Sequence, residues 1–103
     1  MAFIDKYNFE NLKNDAERIV LPELGRQLET FTEPVCTCND CVTDMAAIVL
    51  NAVKPLYRVS LIGGFYTTAD EDSYAENVRN AVFNAIERVR KNPSHDIDQP
   101  AEA

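Results

Sequence analysis

Three thiols fall within six residues in the run Val35-Cys36-Thr37-Cys38-Asn39-Asp40-Cys41, a Cys-x-Cys-x-x-Cys spacing that lets three sulfurs converge on one ion. Thiolate is a soft, strong donor for Zn²⁺, and structural zinc takes four ligands in a tetrahedron. A helix opening at the cluster would set partial positive charge beside Cys41 and favour its deprotonated form. Zinc is therefore the expected cofactor, with Cys36, Cys38 and Cys41 as ligands. Its fourth position is open to Asp40, Asp44, His95 or a water. Metal-free thiols and a Cys38–Cys41 disulfide are the competing readings, the second disfavoured under reducing conditions. A catalytic thiol needs a base, and the single histidine, His95, stands in a terminal stretch expected to be disordered.

The chain around this cluster has 103 residues, enough for one small domain. At that length roughly 60–65% of the unfolded chain's surface is buried on folding, so the core is thin and a metal or a second subunit would reinforce it. An odd count of three cysteines argues against a disulfide framework and for reduced thiols in the cytoplasm. The longest apolar run, Met45 to Leu50, is far too short to span a membrane, and no membrane insertion is expected. Ten Lys or Arg against seventeen Asp or Glu give a net charge of -7, which disfavours long nucleic acid. The charge is uneven. Residues 1–53 and 92–103 are acidic, whereas residues 54–91 carry six basic and five acidic side chains, leaving that segment alone suited to a small anion.

Periodicity supplies the scaffold. Phe9, Leu12, Ala16, Ile19, Leu24, Leu28 and Phe31 recur at helical spacing, with Val20 and Leu21 widening the stripe, and predict one helix kinked at Pro22. A second helix is expected from Asp40 to Val53 with Val42, Met45, Ala46, Val49, Ala52 and Val53 on one face; Pro55 stops it. Because it is apolar nearly all round, a subunit contact is expected as well as a core contact. From Leu56 to Ala69 two β-prone runs around Gly63-Gly64 read as a hairpin or a pair of extended segments. A third helix is expected to begin near Ser73, in a Ser73-x-x-Glu76 capping box, and to end before Asn92-Pro93, burying Tyr74, Val78, Ala81, Val82, Ala85 and Val89. The fold class is thus mainly α, a compact three- to four-helix domain over residues 1–91 with a short extended or β-hairpin segment, followed by an acidic disordered tail at 92–103.

The segment VCTCNDCVTDMAAIVLNAVKPLYRVSLIGGFYTT resembles the late competence development protein family, ComFB-like. The resemblance rests on Cys36, Cys38, Cys41, Asp44, Ala47, Leu50, Asn51, Pro55, Tyr57, Gly64 and Tyr66, and covers roughly residues 8–91. Two departures stand out: Lys54 occupies the first of two positions that are often both proline, and a fourth cysteine is absent. The resemblance implies a mostly helical homodimer that binds zinc and acts as a receptor for the cyclic di-nucleotides c-di-GMP or c-di-AMP.

Such a ligand carries two phosphates and two purines, so its site needs cations and flat groups for stacking. The segment without net negative charge supplies Lys54, Tyr57, Arg58, Tyr66, Thr67 and Arg79, with Asn51 able to read a base edge or brace the turn. Each has a plainer role open to it. The tyrosines would pack on the helices, and Arg79, Arg88 and Arg90 would form a solvated face with Glu76 and Glu87.

The expected function is a noncatalytic bacterial signalling protein, a homodimer that binds a cyclic di-nucleotide and passes its state to a downstream protein partner. The rival is a regulatory interaction module of the competence type, folded by zinc and docking a basic partner without a small ligand. An enzyme is not expected, for the chain has no Gly-rich phosphate loop and no Ser-His-Asp set.

Overall fold

A computed structural model describes residues 2–59 and 68–93, with side chains from residue 71 onward in the second stretch. Two short 3-10 turns, Phe3–Lys6 and Phe9–Asn11, lead into strand β1 (Lys13–Asn14) and helix α1 (Ala16–Thr30). Helix α2 (Asn39–Ala52), strand β2 (Tyr57–Arg58) and helix α3 (Thr68–Lys91) complete the described chain. The mainly helical class expected from the periodicity is what forms. The three helices pack against one another in all three pairings.

Helical phase sets the core. Ala16, Val20 and Leu24 are one turn apart on α1 and buried; Cys41, Met45 and Val49 repeat that spacing on α2; Val78, Val82, Ala85, Ile86 and Val89 fill the facing side of α3. Full burial of Met45, Ile86 or Val20 stabilises by roughly 1.5–3 kcal/mol each. Leu28 and Phe31 continue the α1 stripe as half-buried residues. Pro22 lies inside α1, and the helix runs on past it as one element. Its missing N–H forgoes one bond to the preceding turn, on a face that is exposed.

Four expectations shift. Phe9 and Leu12 precede α1 and are exposed, and on the helix Val20, not Ile19, points inward. The apolar spacing therefore runs across a 3-10 turn and strand β1 that periodicity alone reads as continuous helix. Ile86, outside the stripe expected for the third helix, is fully buried in the core, while Phe83 stays exposed with its ring 5.8 Å from Phe31. Helix α3 starts at Thr68, which puts Ser73 inside the helix rather than at a cap.

The extended segment is Tyr57–Arg58, antiparallel to Lys13–Asn14, with Lys13 opposite Arg58 and Asn14 opposite Tyr57. Asn14 Oδ1 accepts from Ala16 N–H at 3.1 Å and from Leu56 N–H at 2.8 Å, and Asp15 N–H donates to the Leu56 carbonyl at 2.8 Å. One carboxamide thus caps α1 and holds the turn after α2 against it. The Gly63-Gly64 turn and the tail from residue 94 lie outside the described residues. Among the described residues no helix is long and apolar enough to cross a membrane.

Candidate metal centre and the groove between α2 and α3

Cys38 is the N-cap of α2, in extended backbone, with its sulfur accepting from Cys41 N–H at 3.4 Å. That placement follows from the spacing: with Cys38 at the cap, Cys41 falls on the first turn and turns inward, while Cys36 reaches back from the preceding loop. The three sulfurs lie within 4.8 Å of one another. Two sulfurs on one tetrahedral zinc, each at about 2.3 Å, stand about 3.8 Å apart, so a small contraction brings this set onto one ion. Cys38 and Cys41 are buried and Cys36 half-buried, and none is in a disulfide. The Cys41 N–H, more than any other group, holds the Cys38 thiol below its ordinary pKa, with hydrogen bonds from Cys36, Cys41 and Asp40 adding to it. A soft three-thiol set fits a zinc-type ion.

Asp40 and Asp44 are not part of this cluster, and His95 lies outside the described residues. An ion here would tie the loop after α1 to the first turn of α2, since Val35 and Cys36 also pack on the core. It would act as a staple, not as a contact for a ligand at the other end of α2. Fourteen helical residues put that end about 20 Å away.

At that far end the sequence-derived residues separate into three groups. Asn51 and Lys54 are exposed around the end of α2, and Tyr57 is 62% exposed on β2. Arg58 is turned inward, its Nε donating to Asp15 Oδ2 at 2.5 Å. Arg79 is exposed on the α1 side of α3, where Gln27 Nε2 donates to its carbonyl at 3.0 Å and its charge helps hold Glu23 ionised. The structure therefore gathers Asn51, Lys54 and Tyr57 along one turn and leaves Arg79 on another face. Tyr66 and Thr67 lie outside the described residues. Of the arginines read as a solvated face, Arg90 pairs with Glu87 at 2.6 Å.

Lys54 instead borders a groove of about 570 Å³ between α2 and α3. It is lined by the apolar Ile48, Ala52, Ala81 and Ala85 and by the polar Asn77, Asn80, Asn84 and Arg88. Tyr74 closes one end by donating its hydroxyl to the Lys54 carbonyl at 2.7 Å. The asparagines were legible as an i, i+3, i+7 row, but a row of carboxamides reads as ordinary surface until a second helix stands beside it.

Fold and cluster together define a small, mainly helical domain with a three-thiol centre able to hold a metal ion. The family model for the late competence development protein ComFB matches residues 13–93, and the chain belongs to that family. No curated protein sequence matches the chain.

Proposed function

We propose that this protein is a noncatalytic signalling receptor that binds a cyclic di-nucleotide as a homodimer and carries a structural zinc on Cys36, Cys38 and Cys41. The observation that carries the reading is the division of labour along α2. Its first turn holds the thiol cluster, and the turn after its last residue presents Lys54 and Tyr57 to solvent, a cation and a flat ring suited to phosphate and base. Membership of the ComFB family supports the same reading.

The homodimer is supported by exposed apolar surface. The Phe3, Tyr7 and Phe9 rings meet at tilted and edge-on angles with centroids 5.0 to 6.2 Å apart, and all three remain exposed, as are Ile4 and Leu12. A two-fold dimer would cover such a patch and offer two equal half-sites to a two-fold symmetric ligand. That patch equally suits the rival, a zinc-folded interaction module whose partner is another protein. Calorimetry on the purified chain decides between them, with sedimentation to give its oligomeric state. Saturable binding of cyclic di-GMP or cyclic di-AMP at low micromolar protein supports the receptor; no heat with either favours the interaction module.

A further inference from the structure

The thiol cluster is not evenly buried. Cys41 is 0% and Cys38 7% exposed, whereas Cys36 is half-buried, so a small molecule in solvent meets the cluster at Cys36 first. All three sulfurs lie within 4.8 Å of one another, and none is in a disulfide. One accessible thiol with two buried thiols in reach is the arrangement of a redox-sensing site, in which the exposed sulfur is oxidised and a neighbour closes on it. A centre that only staples the fold is expected to surround its ion with four protein ligands. Among the described residues this cluster offers three, and Asp40 and Asp44 stand outside it. Those two carboxylates and the acidic surroundings of residues 1–53 favour a neutral oxidant over the anionic glutathione disulfide.

A hydroperoxide completes the chemistry. The Cys36 sulfur, as thiolate, attacks one peroxide oxygen; an S–O bond forms, the O–O bond breaks, and hydroxide leaves and is protonated to water. Cys36 then carries a sulfenic acid. The thiolate of Cys38 or Cys41 attacks that sulfur; an S–S bond forms, the S–O bond breaks, and a second hydroxide leaves as water. Two thiols have given up two electrons, one hydrogen peroxide has become two waters, and the two thiol protons end in those waters. The single thiol left over is too few to keep a structural ion. We propose that Cys36, Cys38 and Cys41 form a peroxide-sensitive switch, in which oxidation at Cys36 and closure onto a buried neighbour releases the ion and loosens loop 31–38 from the first turn of α2. The release step rests on the reading of the cluster as a zinc site; the thiol oxidation does not.

Hydrogen peroxide added to the purified, reduced full chain tests it, followed by thiol titration, intact mass and a zinc-binding dye. Two of the three thiols should be lost, with the mass falling by two hydrogens and no cross-link between chains. Zinc should appear in step with thiol loss, and dithiothreitol with added zinc should restore the starting state. Dimedone, which traps sulfenic acids, should label Cys36 when added with the peroxide, and Cys36→Ser should lose thiols about tenfold more slowly. Cleavage by a glutamate-specific protease at Glu33, exposed in the loop, should rise about fivefold on oxidation. Dimedone on Cys38 or Cys41 instead, loss of one or three thiols, or a disulfide between chains overturns the switch. Zinc lost with all thiols intact, or Glu33 cleaved no faster, overturns the link from oxidation to the loop. Two thiols lost from a chain that never held zinc overturns the zinc reading and leaves the thiol chemistry standing. Glutathione disulfide acting faster than peroxide overturns the assignment of the oxidant.

Discussion

The Arg58 guanidinium donates to the Asp15 carboxylate across 43 residues of chain, with the two side chains only 14% and 11% exposed. The pair locks β2 to the start of α1. A charge in that setting is costly once its partner is gone. Arg58→Ala should therefore destabilise by about 3 kcal/mol, a fall of roughly 12–24 °C in Tm for a domain of this size. The double variant with Asp15→Ala should cost less than the sum of the two single changes, measured by thermal melts followed by circular dichroism. If Arg58→Ala also lowers ligand affinity, Arg58→Lys separates positioning from contact, since lysine keeps the charge but not the planar fork.

Metal should be found at about one ion per chain, and Cys38→Ser should lose it. The ion binds the folded thiol set, so at a thousandfold excess over its dissociation constant it stabilises by about 4 kcal/mol. Chelation should lower the Tm of the wild-type chain and leave that of Cys38→Ser unchanged; metal analysis and melts check both.

Met45 is fully buried one turn beyond Cys41. Met45→Ala should cost about 3 kcal/mol through lost burial and the cavity it leaves, and Met45→Leu under about 1.5 kcal/mol. Urea unfolding with an unchanged slope would show that the effect is on stability alone.

Tyr74→Phe removes the hydroxyl that holds the Lys54 carbonyl. The loss should be about 1 kcal/mol. Faster amide hydrogen exchange confined to the turn around Lys54 would show that the bond anchors this end of the groove.

Glu23 gives the pH dependence its sign. The hydrogen bond from Arg26, aided by Gln27, holds its carboxyl below the usual range despite partial burial. A lowered folded-state pKa means stability that is present above the ordinary carboxylate pKa and lost as pH falls through the folded value. The amount is under about 1 kcal/mol for a pair this near the surface. Glu23→Gln should flatten that part of a plot of stability against pH between neutral and acid.

Much of this architecture is legible locally. The Cys-x-Cys-x-x-Cys spacing carried the thiol cluster, because three ligands within six residues meet whatever the rest of the chain does. The 3.6-residue phase carried α1 through Pro22, Met45 and Val49 on the inward face of α2, and most of the inward face of α3, because those positions follow from neighbours one turn apart; Ala52, expected on the α2 face, is exposed, and Cys41 takes the inward place at the other end. Local reading failed where local signals conflict. Phe9 and Leu12 share the α1 phase yet precede the helix, and the Ser73 capping pattern yielded to a helix already begun at Thr68.

Only the packed structure assigned partners. Arg58 reads in sequence as a cation available to a ligand, and folding commits it to Asp15. Asn14 reads as a loop residue, and folding makes its one oxygen serve both the start of α1 and the turn after α2. The asparagine row comes to border a groove with Ile48, Ala52 and Lys54 only when α2 lies beside α3. Spacing along the chain determines what meets within a turn of helix or a short loop; which distant charges pair and where two helices leave a groove depends on the angle and height at which they pack.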